Sequence, residues 1–272
     1  MSIKNILCAY SGEAARGSGL SYAIKLAKRH DAWLTGVLRH GQPRFERQFL
    51  GQLPDEVIEH LRRADAERVI EVKNRFSDRI AAAGLAQKSE FVDLKPAVDG
   101  PISHYARNFD LVVTGIHTEV LNEAHMSANP DLITLHSGRP VLVVPNNYQA
   151  DAPTDHIVVA MDGKRAAARA LWDAMSLLGE KVRVTVVTVG NDAIAHSDVL
   201  MRNLERHQIE AEYRLASRKG SVANSILGIV EEVSADLIVS GSYEHSKFAH
   251  SLIGGVSTEL MEKTKVPILL SH

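Results

Sequence analysis

The sequence predicts an α/β protein built as two tandem domains, each a five-stranded parallel sheet flanked by helices. Three observations lead there. Strand-length apolar runs alternate with helical patterns along the whole chain, which is the signature of βαβ units and a parallel sheet. The second half repeats the order of the first. A polar stretch containing Pro153, Asn146 to Asp155, separates the two. The length, 272 residues, fits two domains or a single α/β barrel of roughly 250 residues. The internal repeat decides for two.

Ile3 to Tyr10 is the first apolar run, and Ala14 to Arg29 follows with Leu20, Ile24 and Ala27 at helical spacing. Trp33 to Leu38 is the second strand. Pro54 to Ala83 is a long charged helix on which Val57, Leu61, Ala64, Val69, Val72, Phe76 and Ile80 fall near one stripe. Glu90 to Leu94, Asp110 to Thr114 and Pro140 to Val144 complete the strands of this half, with a short helix at Pro101 to Asn108 and a further helical stretch before Pro140. In the second half the strands are His156 to Met161, Val182 to Val189, Ile209 to Leu215, Leu237 to Ser240 and Pro267 to Leu270. The helices are Ala166 to Leu178, Ile194 to His207 and Val222 to Val233.

The halves align by their own residues. Ser11-Gly12 matches Asp162-Gly163 at an offset of 151, and the run from Asp110 to Gly115 matches Asp236 to Gly241 at an offset of 126. The difference, 151 − 126 = 25, places about 25 extra residues in the first half, within an insert at about 41–75. The domains are therefore 1–147 and 156–272, with a linker at 148–155.

Lys plus Arg number 31 and Asp plus Glu 33, a balance that argues against a nucleic-acid partner; the 5% aromatic content argues against a stacking platform for single strands. No run approaches the roughly 20 apolar residues of a membrane span, and the first residues lack a signal-peptide pattern. Cys8 is the lone cysteine, so no intrachain disulfide forms; within Ile6-Leu7-Cys8-Ala9 it reads as a buried, inert thiol. A cytoplasmic setting is expected.

The second half carries Ile157-Val-Val-Ala-Met-Asp162-Gly163, Gly220 before a helix, Asp236-Leu-Ile-Val-Ser-Gly241, then Gly254-Gly255-Val256-Ser257-Thr258 and Val266-Pro267-Ile268. In this order and spacing the sequence resembles the universal stress protein family in its tandem form. The resemblance covers nearly the whole chain apart from the insert. It implies a Rossmann-like fold of the adenine nucleotide alpha hydrolase type, and domains that pair through their last strands. It also implies, in many members, ATP bound by an Asp after the first strand and a G-x-x-G-x9-G-S/T loop after the fourth. Ligands in open α/β sheets sit beyond the carboxyl ends of the strands. Glycines and helix amino termini there meet phosphate.

Carried onto this chain, Asp162, Gly241 and Gly254 match the pattern, while Gly255 stands where Ser or Thr is usual and Ser257 and Thr258 can supply hydroxyls. Lys247 can neutralise a phosphate. Glu244 replaces the second glycine. The implied cofactor is ATP, with Mg when bound. In the first half Ser11, Thr118 and Ala128-Asn129 replace the acidic residue, the second glycine and the Gly-Ser pair, leaving only Gly115. That half is expected to be a scaffold or partner surface.

Other chemistries are weaker. Ser11-Gly12-Glu13 has part of the SGGxDS loop of ATP pyrophosphatases but lacks its second Gly and its Asp-Ser pair. His245 with His250, and His117 with His125, do not have metal-ligand spacing. Phe45, Phe49, Leu50 and Leu53 form an apolar cluster in the insert, suited to capping the sheet or a partner surface, with a lid over a pocket as the lesser alternative. The expected function is a stress-response protein acting by binding, with adenine-nucleotide sensing in the second domain and protein partners of unknown identity. The alternative is a slow ATP hydrolase or nucleotide-transfer enzyme using the same loop. If the last strands of the halves pair within the chain, a monomer suffices, and the insert and long helix remain as a surface for a homodimer.

Glu244 generates a prediction. A carboxylate about 6 Å from a phosphate charge costs about 3 kcal/mol at an effective dielectric near 20. Glu244→Gly is therefore expected to tighten ATP binding about a hundredfold in titration calorimetry. Unchanged or weaker affinity would refute the charge argument.

Overall fold

The computed structural model describes residues 3–12, 17–39, 54–116, 128–150, 154–177, 182–242 and 255–272. The first half runs β1 (Asn5–Ala9), α1 (Gly17–His30), β2 (Trp33–Arg39), α2 (Asp55–Ala82), β3 (Ser89–Leu94), α3 (Pro96–Asp99), α4 (Ile102–Ala106), β4 (Leu111–Gly115), α5 (Pro130–Ser137) and β5 (Val141–Val144). The second runs β6 (His156–Ala160), α6 (Arg165–Ala174), β7 (Arg183–Val189), α7 (Ser197–Arg206), β8 (Ala211–Ala216), α8 (Val222–Glu232), β9 (Leu237–Gly241), α9 (Val256–Lys263) and β10 (Ile268–Ser271).

The strands form one sheet in the order β3-β2-β1-β4-β5-β10-β9-β6-β7-β8. Within each half all pairings are parallel, and the halves meet where β5 and β10 pair antiparallel, Ile268 opposite Val143 and Leu270 opposite Val141. The last strands thus pair within the chain, the case the sequence had left as a condition. Helices cover both faces of this sheet, so its central strands are apolar at successive positions rather than at alternate ones. Val141 to Val144 and Ile268 to Leu270 are fully buried. The two core layers each draw on both halves: Leu142, Val113, Ile157 and Leu269 share one, and Val112, Val143, Val158 and Ile238 the other.

The repeated Asp110 and Asp236 do more than mark register. Asp110 Oδ2 accepts from the amides of Lys4 and Asn5 at 2.7 and 2.8 Å, and Asp236 Oδ2 from those of Asp155 and His156 at 2.9 and 3.0 Å. Each carboxylate fastens the start of its half's first strand to the start of the fourth. Charge-assisted bonds to backbone amides are the stronger kind, which suits a fixed role for this residue.

Two expectations need adjusting. The apolar stripe of α2 is buried only at Val72, Phe76 and Ile80; Val57 and Ala64 are exposed. A helix of 28 residues is about 42 Å long, whereas strands of five to seven residues reach only about 17–24 Å, so its first turns overhang the sheet. The buried part is fixed by Phe76, whose ring meets Tyr10 at 6.2 Å and Phe91 at 5.4 Å between centroids. The polar linker also packs: Ala150 is buried, and Tyr148 meets Tyr22 of α1 with ring centroids 6.0 Å apart. Cys8 is fully buried and burial pushes its thiol up to about 12, so the inert reading holds. The apolar cluster at Phe45, Phe49, Leu50 and Leu53, and the histidines at 117, 125, 245 and 250, lie outside the described residues.

Where α5 and α9 flank the β5–β10 seam, burial and the Glu262 carboxylate push Asp131 up to about 6. Its usual value is 3.8, so the folded chain holds this proton more tightly than the unfolded one. Stability therefore falls as pH rises through the window between these values, and the penalty is complete above it. Asp131→Asn is expected to raise Tm at pH 7.5 by roughly 2–4 °C, after allowance for partial solvent screening, with little gain near pH 4. Equal gains at both pH values would exclude this origin.

Candidate functional site

The carboxyl ends of the strands in the second half bring together three backbone features. The turn after β6 contains Asp162 and Gly163, the latter at φ +77°, a left-handed conformation that suits glycine. Thr188 of β7 anchors this turn by donating its hydroxyl to the carbonyl of Met161 at 2.8 Å. β9 lies beside β6, with Ser240 opposite Ala160, so Ser242 emerges next to Asp162's turn. The chain returns from that edge in α9, whose amino end stands above the same edge because the helix runs back to the start of β10.

Asp162 keeps 57% of its side chain exposed; its Oδ1 accepts the Lys164 amide at 3.0 Å and its Oδ2 lies 3.9 Å from the Lys164 ammonium. The carboxylate is held in place and open to a ligand. Lys164 was not singled out from the sequence, although Asp-Gly-Lys directly after a strand was the available signal. The fold adds its meaning, by making it the residue before the first turn of α6.

Gly255 is the N-cap of α9 and contributes no side-chain hydrogen bond to the first-turn amides. Ser257 is buried, and Thr258 Oγ1 is buried without a hydrogen-bond partner among the described residues. A buried hydroxyl left unpaired carries a desolvation cost that a ligand oxygen can relieve. Glu259, one residue further, is tied to Lys263 and to Ser221 Oγ, and these contacts hold its carboxyl below the usual range, the Lys263 bond most strongly. Its charge is therefore partly offset. Gly254, Glu244 and Lys247 lie outside the described residues.

Gly241 has a packing role. A Cβ there would sit 2.4 Å from the Ala167 amide nitrogen and 2.6 Å from the Ala166 carbonyl carbon, so α6 rests directly on this glycine.

The first half differs at each equivalent point. Ser11 stands at the Asp162 position. A Cβ on Gly12 would meet Val72 Cγ2 at 2.5 Å, and Arg75 donates to the Gly12 carbonyl at 2.6 Å, so α2 closes over the turn. Asn129 caps α5 by accepting the Leu132 amide at 3.1 Å, and Pro130 at the first helical position has no amide to offer. Among the described residues, the helix end that faces the ligand edge has no side-chain cap in α9 and is self-capped in α5. Thr118 lies outside the described residues.

A model of the universal stress protein family matches residues 153–272, the half that contains this open edge. The second half, residues 153–272, is therefore a universal stress protein domain. The curated universal stress protein Slr1230 of Synechocystis is 27% identical over 170 residues, covering 60% of this chain; the match spans 58% of that relative's length. The crystal structure of a universal stress protein from Archaeoglobus fulgidus aligns over 98% of this chain and 95% of its own, with a TM-score of 0.73 and 20% identity. A universal stress protein structure from Pseudomonas aeruginosa, described as putative, aligns over 99% and 93% with a TM-score of 0.57 and 14% identity. These two likenesses establish the α/β fold over the full length of this chain, and their low identities carry nothing further.

The contact at Gly241 generates a prediction. Gly241→Ala forces α6 away from backbone atoms that cannot yield cheaply, a cost of about 1–3 kcal/mol. Tm is expected to fall by roughly 2–8 °C in a thermal melt without ligand. An unchanged Tm would remove the packing role and leave only a ligand role for this glycine.

Proposed function

We propose that the second half binds an adenine nucleotide, ATP in the first instance, and that the chain serves in the stress response by binding rather than by catalysis. The observation that carries this reading is the contrast between the two equivalent helix ends. α5 satisfies its own amino end with Asn129 and Pro130, whereas α9 begins at a glycine, and among the described residues no side chain caps its first amides. Free amides at a helix amino end attract anions, and phosphate oxygens are the anions that many members of this family place there.

The residues divide the work. Val256, Ser257 and Thr258 offer amides to phosphate oxygens, and Thr258 Oγ1 has a hydroxyl proton to donate. Lys164 supplies a cation beside the edge. Asp162 accepts from the adenine amino group or a ribose hydroxyl. When bound, Mg would neutralise phosphate charge; Asp162 is the one described carboxylate on the turn to share it.

The first half acts as scaffold and partner surface. The β5–β10 pairing already uses the strand edge through which domains of this family join, so a homodimer would form through another surface, and other protein partners would dock there as well. No helix among the described residues is long and apolar enough to cross a membrane, and the buried lone thiol suits a reducing, cytoplasmic setting.

Thermal melting with millimolar ATP, with and without Mg, tests the reading. ATP at 100 times its Kd adds about 2.7 kcal/mol, an upward Tm shift of several degrees. Asp162→Ala is expected to shrink that shift, and a phosphate-release assay is expected to show no turnover above background. No shift in the wild type would end the nucleotide reading, and Asp162-dependent phosphate release would favour the enzyme instead.

A further inference from the structure

The opposite edge of the second half holds a cavity of about 350 Å³, open to solvent at the amino ends of β6, β7 and β8 and bounded by the carboxyl end of α8. The period of two along each strand puts His156, Arg183, Thr185, Glu212 and Arg214 on one face, that of α8. Its volume is at the small end of the range for small-molecule sites.

The hydrogen bonds there run in one direction. Arg214 is paired with Glu212 at 2.9 Å and with Glu232 at 2.8 Å, so all three charges are mutually committed. Thr185 donates its one hydroxyl proton to Glu212 Oε1 at 2.8 Å. The 2.8 Å contact between Thr185 Oγ1 and His156 Nε2 must then be donated by the imidazole. Burial first, and the Arg183 charge second, hold His156 below its usual range, so at neutral pH the ring is neutral with its proton on Nε2. Nδ1 is left as an acceptor. It is buried, in a residue only 7% exposed, and among the described residues it has no hydrogen-bond partner of good geometry, although the backbone of Val233 lies beside the ring. At the mouth, the guanidinium of Arg183 and the carboxylate of Glu210 are exposed, and neither has a hydrogen bond or ion pair among the described residues.

The first half shows which of these groups are structural. It keeps the threonine–glutamate pair, Thr35 to Glu90 at 3.1 Å, at the same sheet register. At the positions of His156, Arg183, Glu210, Arg214 and Glu232 it has Asn5, Trp33, Lys88, Val92 and Ala106. The pair serves the sheet; the added groups belong to the second half alone.

We propose that this cavity binds a small zwitterion of amino-acid size, its carboxylate on Arg183 and its ammonium between Glu210 and His156 Nδ1. A planar guanidinium matches a carboxylate bidentately, and an ammonium has donors for both remaining acceptors. The site is separate from the nucleotide edge, and its test does not depend on that reading.

Scanning fluorimetry of the full chain with each proteinogenic L-amino acid, at about 10 mM, tests the proposal. At least one is expected to raise Tm by roughly 3 °C, the effect of a ligand near ten times its Kd. Arg183→Ala and Glu210→Gln, both at exposed positions, are expected to abolish the shift while leaving any ATP response intact. In the wild type, the His156 Nδ1 chemical shift is expected to move on addition of the same amino acid. No shift with any amino acid, a shift that survives both substitutions, or one reproduced by acetate or methylammonium alone would overturn the assignment.

Discussion

The antiparallel pairing of β5 with β10 is the contact on which the rest of the molecule depends. It joins two parallel five-stranded arrays into one sheet, and it places Val141 to Val144 and Ile268 to Leu270 at the centre of the protein. Strands covered on both faces must be apolar throughout, so both segments are dictated by the seam. Each core layer then crosses from one half to the other. The first half, stripped of most of the nucleotide pattern, still forms the ground on which β10 and α9 are built.

A shared backbone with divergent chemistry follows from that arrangement. Asp110 and Asp236 perform the same fastening in each half, and Thr35–Glu90 and Thr185–Glu212 occupy the same register. Differences appear at the two ends of the strands, where side chains face solvent and the sheet places few demands on them. At the carboxyl edge the first half closes its turn with Arg75 and Val72 and caps α5 with Asn129. At the amino edge the second half adds a buried histidine and a set of charges. Conserved geometry with free ends is how one copy can be filled in while the other stays open.

The strands, their alternation with helices and the internal repeat were legible because hydrophobic period and punctuation are local properties. The β5–β10 seam was legible as a consequence of the fold resemblance, through two segments with no polar residue between Pro140 and Val144 or Pro267 and Leu270. Other features depend on distances between remote residues. Asp236 was visible as a repeated letter, but its bonds to the amides at 155 and 156 required the register of β6 against β9. Ala128-Asn129 read as the loss of a phosphate motif, and the structure shows that Asn129 is also the gain of a cap. The stripe on α2 was real as a pattern, yet its first turns overhang a shorter sheet, which no periodicity reveals. His156 opens the sixth strand in a run that reads simply as apolar; its orphaned nitrogen depends on which neighbour spends the only hydroxyl proton.

Joining the halves through β5 and β10 also decides which strands remain unpaired along one side. Those are β3 and β8, the outermost strands of the sheet. Exposed strand margins invite sheet-to-sheet stacking, and charges on them oppose it. β3 carries Glu90 and Asp93, and β8 carries Glu212 and Arg214. With the two apolar strands paired to each other, the strands left at the margins are ones that carry charge, which opposes edge-to-edge stacking.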